Sequence, residues 1–506
     1  MTVPRGRLGG LLVLGLLAWG VPALSAPPRD SRALDSEVRR LIAERTRSDP
    51  SLQGARIAVA VLDHRGNEAV WIQADEPMKP ASNLKVLTSA AGVRLLGPGH
   101  SFETTVTATA PMQSGVIRGD VSVRGTGDPN ISGRFFGGDP TALFRGWARA
   151  LRSAGLQRIE GDLIADDTLF DDVRFQPTWD TRQSETWYSA EISALSLNDN
   201  CVDITVRPGA RPGAPAAVEV TPPSSLITVD GSPSTVGGKN ESRIVVHRKP
   251  GTNRITVTGR IAAGGAPWRG NITIHDPALF FATALAGMLE REGISVEGRI
   301  RKRDRTAPAP EPPAPGLPPA GETVLIRHAS TLLQDLPVIN KRSQNLHAEI
   351  LLKALGAQVA REGSLSGGER AIRKFLREKA IPDDTLVLAD GSGLSHKNRL
   401  SAALLARVLH SVTSEPYFKD FLDSLPVAGE DGTLDGRFRR SPELKGSLHA
   451  KTGYIAGVSC LSGYVLRGGR AWSFSILVNG LSSGARGAKR LQELIGERIH
   501  AAMSDG

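Results

Sequence analysis

The chain has 506 residues, of which 40% are hydrophobic, 23% charged and 5% aromatic. This length predicts two to four packed units, and the composition excludes disordered, collagenous and disulfide-framework proteins. The net charge is +10, but Lys and Arg are interspersed with Asp and Glu, so we expect no nucleic-acid partner. After the N-terminus no apolar run reaches roughly eighteen residues, which excludes a multi-span membrane protein.

Residues 1–26 are typical of an export signal, with two arginines before a short apolar core. Ala23 and Ser25 place small residues where a signal peptidase inspects them, which predicts cleavage after Ser25 or Ala26. The apolar core is too short to span a membrane comfortably, so an uncleaved anchor is the weaker interpretation. We therefore expect an exported, periplasmic protein with weak attraction to anionic envelope polymers or the membrane surface.

Hydrophobic periodicity and Gly/Pro punctuation then predict the elements in chain order. The predicted strands are 56–63, 68–73, 102–108, 119–123, 202–206, 243–247, 254–260, 448–454, 458–466 and 471–478. The predicted helices or helical regions are 83–96, 140–154, 277–290, 331–379, 402–424 and 484–503.

Strands and a helix occur at both ends of the chain, so we expect 27–100 and 321–506 to join into one domain. Between them, the short alternating segments of residues 101–302 predict a β-rich insertion of two small domains. Seven prolines in 303–320 predict a linker or surface loop, because so many prolines prevent regular packing.

Ser82-Asn83-Leu84-Lys85 is the only S-x-x-K in the chain and lies at a predicted helix start. The spacing places the hydroxyl and the amine on one helix face, where a neutral lysine can take the serine proton. Neutrality requires a lysine pKa depressed by burial or by a second cation. Alone the motif is a weak signal, because a capping serine followed by a solvated lysine explains most such matches.

Lys451-Thr452-Gly453 lies in a predicted strand, HAKTGY. A cation and a hydroxyl on an edge strand suit capture of a carboxylate, while the free backbone pairs with an extended peptide. The N–H groups of Ser82 and Tyr454 can together form an oxyanion hole. An ordinary turn is the alternative interpretation.

Ser343-Gln344-Asn345 is an S-x-N motif before a helical run. Its hydroxyl can relay a proton and its amide can hold a substrate carbonyl. Ser196-Leu197-Asn198 is a second S-x-N, which we discount because no predicted helix follows it.

The histidines and cysteines indicate no metal site, because no CxxC or HExxH spacing occurs. We expect His347 and His449 to be structural, since no spacing supports a Ser-His-Asp triad. Cys201 and Cys460 allow either one disulfide or two separate buried thiols.

The order S-x-x-K, S-x-N and K-T-G resembles the penicillin-recognising serine enzymes. Further segments are similar to the D-alanyl-D-alanine carboxypeptidase/endopeptidase family typified by penicillin-binding protein 4 (DacB), of low-molecular-mass class C. These segments are RGTGDPNIS (124–132), GDLIADDTLF (161–170), LSLNDNCVD (195–203), ADGSGLS (389–395) and LPVAGEDGTL (425–434). The resemblance covers nearly the whole mature chain. It implies a mixed α/β fold in which an antiparallel sheet flanked by helices forms a transpeptidase-like catalytic domain, interrupted by a large β-rich insertion.

The resemblance implies that Ser82 is the acylated nucleophile, Lys85 its general base and Ser343 a proton relay. It further implies that the substrate is held by a second set of residues: Asn345, Lys451, Thr452, Gly453 and Tyr454, with the backbone of Tyr454 completing the oxyanion hole. It also implies that Lys451 helps to keep Lys85 neutral. No cofactor or metal is required.

Two positions depart from the family pattern. Gln344 stands where an acidic residue is common, and His396 stands where arginine is expected, which puts the substrate contacts of that loop in question. Three aromatic residues of the insertion, Trp179, Trp187 and Tyr188, are candidates for a muropeptide groove, although core packing is the better interpretation.

The resemblance therefore implies an exported serine DD-peptidase that cleaves D-Ala-D-Ala in peptidoglycan stem peptides, and also D-amino-acid crosslinks. β-Lactams are expected to acylate Ser82, because they mimic the same peptide. Two alternatives stay open. One is a serine β-lactamase, and the other is a wall-binding or β-lactam-sensing protein without turnover.

Overall fold

The computed structural model describes residues 29–238, 242–306 and 321–503. The export signal predicted for 1–26 and most of the proline-rich segment predicted for 303–320 lie outside these described residues. Within the described ranges, every helix is too short or too polar to cross a bilayer.

Helices and strands are both numerous in the described residues. The helices are α1 (Arg29–Ser48), α2 (Leu84–Leu96), α3 (Ala142–Ser153), α4 (Pro277–Arg291), α5 (Leu332–Asn340), α6 (Asn345–Ala360), α7 (Leu365–Glu378), α8 (Ala402–Val412), α9 (Phe418–Ser424) and α10 (Arg486–Ala502). The first ten strands are β1 (Arg56–Leu62), β2 (Glu68–Ile72), β3 (Ser101–Ala108), β4 (Val116–Ile117), β5 (Val121–Gly125), β6 (Arg158–Ile159), β7 (Leu163–Asp166), β8 (Cys201–Arg207), β9 (Ala217–Thr221) and β10 (Thr228–Asp230). The remaining strands are β11 (Ser234–Val236), β12 (Arg243–Arg248), β13 (Arg254–Ala262), β14 (Trp268–Thr273), β15 (Ser295–Val296), β16 (Ile300–Lys302), β17 (Thr323–Thr331), β18 (Leu448–Ile455), β19 (Val458–Arg467) and β20 (Arg470–Asn479).

The main sheet is antiparallel in the order β18-β19-β20-β1-β2, so the first hairpin and the last three strands share it. Successive side chains of β1 enter two different cores, because a strand alternates its faces. Ala58 and Ala60 pack in the core that contains α2 and α8, whereas Val59 and Val61 pack in the core that contains α1 and α10. Burial on both faces explains the continuous apolar run of β1, and the arrangement matches the predicted sheet flanked by helices.

In the ranges that the structure describes, the insertion contains four further sheets and its own apolar core, with α3 and α4 packed together through Phe144 and Phe281. One of these sheets has the order β16-β7-β5-β3-β17. Its edge strand β17 follows the proline-rich segment and pairs antiparallel with β3. Residues 323–331 therefore complete a sheet of the insertion, where sequence analysis assigned no strand and placed these residues in the second catalytic segment.

Several predicted boundaries differ from the structure. The strand expected at 119–123 lies at 121–125, and the helical region 331–379 divides into α5, α6 and α7. Ser364 accepts a hydrogen bond from the backbone of Gly367 and caps α7, while Arg361 adopts a left-handed conformation (φ 57°) that ends α6. Cys201 and Cys460 are separate buried thiols rather than a disulfide.

Candidate active site

Ser82 lies in a short 3-10 turn, Ala81–Asn83, that leads directly into α2. Neighbouring segments fit closely around this turn. A Cβ atom placed on Gly393 would lie 1.8 Å from the Ala81 carbonyl oxygen, so only glycine fits there. Ala81 itself has a positive φ of 46°, and the packing holds this uncommon conformation next to the serine.

Lys85 projects from the first turn of α2 into a fully buried site. Its Nζ lies 3.1 Å from Ser82 Oγ, and it donates to Asn345 Oδ1 at 2.6 Å and to the Ser392 carbonyl at 2.7 Å. The distance between Nζ and Oγ is suitable for direct proton transfer.

Burial lowers the pKa of Lys85 to about 7, although the carboxylates of Asp390 and Glu349 oppose this change. Near pH 7 the Lys85 amine is therefore neutral in a large fraction of the molecules, and in this form it is able to accept the Ser82 proton. This meets the condition that the S-x-x-K motif required.

The segment 389–395 surrounds Lys85 and is held by two buried carboxyl groups. Glu349 Oε1 on α6 accepts from the N–H groups of Gly391 and Ser392 at 3.0 and 2.8 Å. Asp390 accepts from Trp179 Nε1 at 2.9 Å. Trp179 is thus a buried part of the core rather than a groove residue, and the segment presents the Ser392 carbonyl to Lys85.

Burial and the neighbouring Asp390 raise the pKa of Glu349 to about 7. Sequence analysis did not identify Glu349, because it lies in the apolar run of α6 without a recognisable motif. Only the folded structure brings Glu349, on α6, close to Lys85, on α2.

Lys451 lies on β18, the edge strand of the main sheet, and is fully buried. Its Nζ donates to Ser343 Oγ at 2.8 Å and to the Thr452 carbonyl at 2.8 Å. Burial, reinforced by the nearby cation of Lys85, holds the pKa of Lys451 well below its usual value. The K-T-G lysine and the S-x-N serine are therefore direct partners.

The outer edge of β18 is covered at its start and open further along in the described residues. Ala428 donates to the Leu448 carbonyl, and Ala450 donates to the Pro426 carbonyl, so residues 448 and 450 face outward. Because outward-facing residues alternate along an antiparallel strand, the backbone groups of Thr452 and Tyr454 face the same way. The Tyr454 N–H is thus directed to the side where an extended peptide can pair.

The side chains of the K-T-G region fit this arrangement. Thr452 Oγ1 lies 2.8 Å from Thr433 Oγ1, while the Tyr454 side chain is 61% exposed. A Cβ atom on Gly453 would lie 2.8 Å from the Pro80 carbonyl, so glycine allows β18 to approach the Ser82 turn.

The S-x-N motif lies between α5 and α6, with Ser343 in a left-handed conformation (φ 59°) and Asn345 as the first residue of α6. Asn345 Nδ2 donates to the Tyr188 carbonyl at 2.8 Å while its Oδ1 accepts from Lys85. The three motifs therefore meet at one place: S-x-x-K contacts S-x-N through Lys85, and K-T-G contacts it through Lys451. The neighbouring Trp187 is 42% exposed and packs edge-to-face on Tyr188.

Asp199 of the insertion is a functional candidate that sequence analysis missed. It accepts from Gln344 Nε2 at 2.8 Å and from both terminal nitrogens of Arg134 at 3.1 and 2.7 Å. Its loop contains three consecutive residues with positive φ, 198–200, a conformation that no local periodicity predicts. This loop carries the discounted Ser196-Leu197-Asn198, and Ser196 Oγ bonds locally to the Ser193 carbonyl.

The two histidines near the motifs are in different settings. His347 is fully buried between Asp335, at 2.5 Å from Nδ1, and Asp199, at 3.1 Å from Nε2. Burial disfavours its charged form, but the two carboxylates outweigh burial and raise the pKa of His347 to about 9. His449 lies on β18 and contacts the Gly446 carbonyl at 3.4 Å. Across the described ranges, no group of three or more His, Cys, Asp or Glu side chains is arranged to hold a metal ion.

Comparison with known proteins identifies relatives along most of the chain. The profile of the D-Ala-D-Ala carboxypeptidase 3 (S13) family matches residues 38–496. The D-alanyl-D-alanine carboxypeptidase of Actinomadura sp. (strain R39) is 34% identical over 453 residues, which is 86% of this chain and 80% of the relative. The D-alanyl-D-alanine carboxypeptidase DacB of Haemophilus influenzae is 28% identical over 416 residues, covering 80% of this chain and 81% of the relative.

Solved structures show the same fold. The crystal structure of penicillin-binding protein 4 (DacB) from Haemophilus influenzae superposes with a TM-score of 0.75 at 24% identity, covering 91% of this chain and 99% of that chain. A structure of the same protein complexed with a β-lactam gives a TM-score of 0.69 at 22% identity, covering 92% and 99%. A predatory peptidoglycan endopeptidase from Bdellovibrio bacteriovorus gives 0.50 at 16% identity, covering 89% and 93%.

Proposed function

Because the chain belongs to the D-Ala-D-Ala carboxypeptidase 3 (S13) family, it is a serine-type carboxypeptidase, and we propose that it hydrolyses the terminal D-Ala-D-Ala bond of peptidoglycan stem peptides. The observation that carries this proposal is the contact between Nζ of the buried Lys85 and Ser82 Oγ at 3.1 Å. With a pKa of about 7, Lys85 is suited to act as the base for Ser82.

This geometry supports the following acylation step. Lys85 takes the Ser82 proton as Oγ attacks the carbonyl carbon of the penultimate D-alanine. The N–H groups of Ser82 and Tyr454 stabilise the resulting oxyanion. Ser343, which accepts a hydrogen bond from Lys451, passes a proton to the leaving amine. The C–N bond then breaks and free D-alanine departs. Ser82 then carries the acyl group as an ester.

Deacylation reverses the roles of the same groups. Lys85, neutral again after transferring its proton through Ser343, takes a proton from water as the water oxygen attacks the ester. The C–O bond to Ser82 breaks and Oγ recovers a proton from Lys85. In this proposal Asn345, which is held by Tyr188 and Lys85, orients the substrate amide through both steps.

The substrate carboxylate has its own site in this proposal. Lys451 and Thr452 receive the carboxylate of the terminal D-alanine, with Gly453 keeping β18 close to the nucleophile. Without substrate, burial and Lys85 disfavour the charged form of Lys451. An arriving carboxylate favours the ammonium form, so capture of the substrate and protonation of Lys451 are linked.

The same site supports cleavage of crosslinks, because an amine on a neighbouring stem can leave in place of D-alanine. β-Lactams would acylate Ser82 in the same way, and the relative from Haemophilus influenzae has been solved with one bound. Since these substrates lie in the cell wall, the proposal includes export through the signal at 1–26 and action in the periplasm.

Intact-protein mass spectrometry with benzylpenicillin tests the proposal, together with an assay of D-alanine released from a stem pentapeptide. We expect a single persistent adduct that is lost in Ser82→Ala, and D-alanine release that is lost in the same variant. Consumption of penicillin without an adduct would favour a β-lactamase. An adduct without D-alanine or crosslink cleavage would favour a sensing protein, and no reaction at all would overturn the site.

A further inference from the structure

Thr433 lies beside the K-T-G strand but belongs to none of the three motifs. It is the middle residue of the short 3-10 turn Gly432–Leu434, and its Oγ1 lies 2.8 Å from Thr452 Oγ1. Thr433 is exposed, and in the part of the chain that the structure describes its hydroxyl has no hydrogen-bond partner other than Thr452. The hydroxyl is therefore free to contact a ligand that reaches Thr452.

Residues 426–434, which we call the closing segment, block one end of the open edge of β18. Val427 pairs antiparallel with His449 in an isolated bridge, so the edge of the strand is already occupied there. The chain then turns and reaches β18 again at Thr433, next to Thr452. A peptide that pairs with the open part of β18 therefore cannot continue past Thr452 toward the start of the strand. Its chain end, and with it a terminal carboxylate, comes to lie beside Thr433.

Two contacts hold the turn that carries Thr433. One carboxylate oxygen of Asp431 accepts from the Val427 N–H at 2.9 Å, and the other forms an ion pair with Lys341. A Cβ atom on Gly432 would lie 3.0 Å from the Lys341 carbonyl oxygen, so glycine allows the turn to approach the residues before the S-x-N motif closely. The place of the Thr433 hydroxyl is therefore fixed relative to both S-x-N and K-T-G.

The two neighbouring hydroxyls are chemically suited to a carboxylate. Each hydroxyl has one proton, and one of the two protons lies in the bond between Thr433 and Thr452. A carboxylate has two oxygens that only accept, so each hydroxyl can turn its proton toward one of them. The neutral bond between the hydroxyls is then exchanged for two charge-assisted bonds, each about twice as strong as a neutral one. A carboxamide has one such oxygen and no charge, so it lacks this gain.

We propose that Thr433 is a specificity-determining residue that donates a hydrogen bond to the terminal carboxylate of the substrate, alongside Thr452. This inference rests on the proposed function, because it uses the position of the carboxylate defined there. The closing segment then selects a leaving residue whose α-carboxylate is free over one whose chain continues through that carboxylate.

Thr433→Val tests the proposal, since valine keeps the shape of threonine and removes the hydroxyl. The substrates are two peptides that both end in D-Ala-D-Ala, one with a free terminal carboxylate and one with a terminal carboxamide. We expect Thr433→Val to lower kcat/KM for the carboxylate peptide about tenfold, the usual effect of one hydrogen bond to a charged group. The change for the carboxamide peptide should be much smaller. Thr433→Ser restores the hydroxyl and should recover most of the loss.

A double variant separates a direct contact between Thr433 and the carboxylate from an effect that acts through Thr452. If each hydroxyl donates to its own oxygen, Thr433→Val should lower kcat/KM for the carboxylate peptide in the Thr452→Val protein as well. No further loss in the double variant would show that Thr433 acts only on Thr452, and it would overturn the proposed contact. This comparison needs the carboxylate peptide alone.

Thr258→Val is the matched control, because Thr258 is exposed on β13 of the insertion and the substitution is the same. It should keep the activity of the unaltered enzyme on both peptides. Thermal unfolding confirms that each variant is folded, and Thr433→Val should unfold close to the temperature of the unaltered enzyme because the residue is exposed. Equal losses on both peptides, or no loss at all, would overturn the role of Thr433 while leaving the proposed function intact. Absence of D-alanine release from the carboxylate peptide by the unaltered enzyme would instead overturn the proposed function, and this inference with it.

Discussion

Asp199, on a loop of the insertion, accepts a hydrogen bond from Gln344, the middle residue of the S-x-N motif, at 2.8 Å. Gln344 separates Ser343, which contacts Lys451, from Asn345, which contacts Lys85. A hydrogen bond from the insertion therefore holds the S-x-N segment, whose two outer residues contact Lys451 and Lys85. The same carboxylate pairs with the buried His347 and with Arg134, so a single side chain links three positions.

Asp199→Asn should weaken both stability and catalysis. The change leaves Arg134 without its carboxylate and His347 with Asp335 alone, and the loss of these charge-assisted hydrogen bonds typically costs about 1.5–3 kcal/mol of unfolding free energy. Because Gln344 loses an anionic acceptor, we also expect slower acylation by benzylpenicillin. Denaturant unfolding and stopped-flow acylation measure the two effects. Asp203→Asn, at an exposed position four residues further along the chain on β8, is the control, and equal behaviour of the two variants would contradict the role of Asp199.

The pH dependence of acylation should follow the protonation of Lys85. Its pKa of about 7 lies below the ordinary lysine value, so the neutral base is depleted as the pH falls below 7. The acylation rate should therefore drop about tenfold per pH unit on the acid side and level off above about pH 8. Initial acylation rates from pH 5 to 9 test this. A rate that is flat across this range would contradict Lys85 as the base.

Glu349→Gln should move that acid limb to lower pH. Glu349 is ionised above its own pKa of about 7, and there it is one of the two carboxylates that raise the pKa of Lys85 against burial. Removing its charge therefore lowers the lysine pKa, and the two proteins should differ most at the top of the acid limb, near pH 7 and above. Glutamine keeps an oxygen that can accept from the N–H groups of Gly391 and Ser392, which preserves the segment around Lys85. Glu44→Gln, on the exposed face of α1, is the matched control. A shift to higher pH in Glu349→Gln, or an equal shift in both variants, would refute this coupling.

Short motifs and the elements that carry them could be predicted, because their evidence is local. The apolar run of β1 and the helix that starts at the S-x-x-K motif follow from neighbouring residue types. In contrast, the Asp199–Gln344 bond joins residues 145 apart and depends on a run of left-handed backbone. The strand β17 was also missed, since it is a half-buried edge strand in which Val324, Leu325 and Ile326 are all only partly buried and show no alternation. Long-range partners such as these require the fold itself.

Gly453→Ala should separate the binding strand from the nucleophile. The new Cβ would lie 2.8 Å from both the Pro80 carbonyl and Asn83 Oδ1, and Asn83 is tethered to Ser462 at 2.6 Å. Neither neighbour yields easily, so β18 must shift away from the Ser82 turn. A displacement of about 1 Å can cost about 100-fold in rate, and we expect a loss of this order in D-alanine release. Gly287→Ala, where nothing lies within 4 Å, should keep full activity. Retention of full activity by Gly453→Ala would show that the strand tolerates the methyl group.

Thr452→Val should weaken capture of the substrate carboxylate. Valine has the shape of threonine but lacks the hydroxyl that lies 2.8 Å from Thr433 Oγ1. One hydrogen bond to a charged group contributes about 1.5–3 kcal/mol, which corresponds to a loss of about 10- to 100-fold in kcat/KM for D-alanine release. Thr452→Ser restores the hydroxyl and should recover most of this loss, which separates hydrogen bonding from packing.

In the proposed function the Thr452 hydroxyl binds the terminal carboxylate, so the same Thr452→Val variant should lose much less activity on a substrate whose terminal carboxylate is replaced by an amide. Steady-state kinetics of the unaltered enzyme, Thr452→Val and Thr452→Ser on the two substrates make this comparison. An equal loss on both substrates would assign Thr452 to the structure of the edge strand rather than to recognition of the carboxylate.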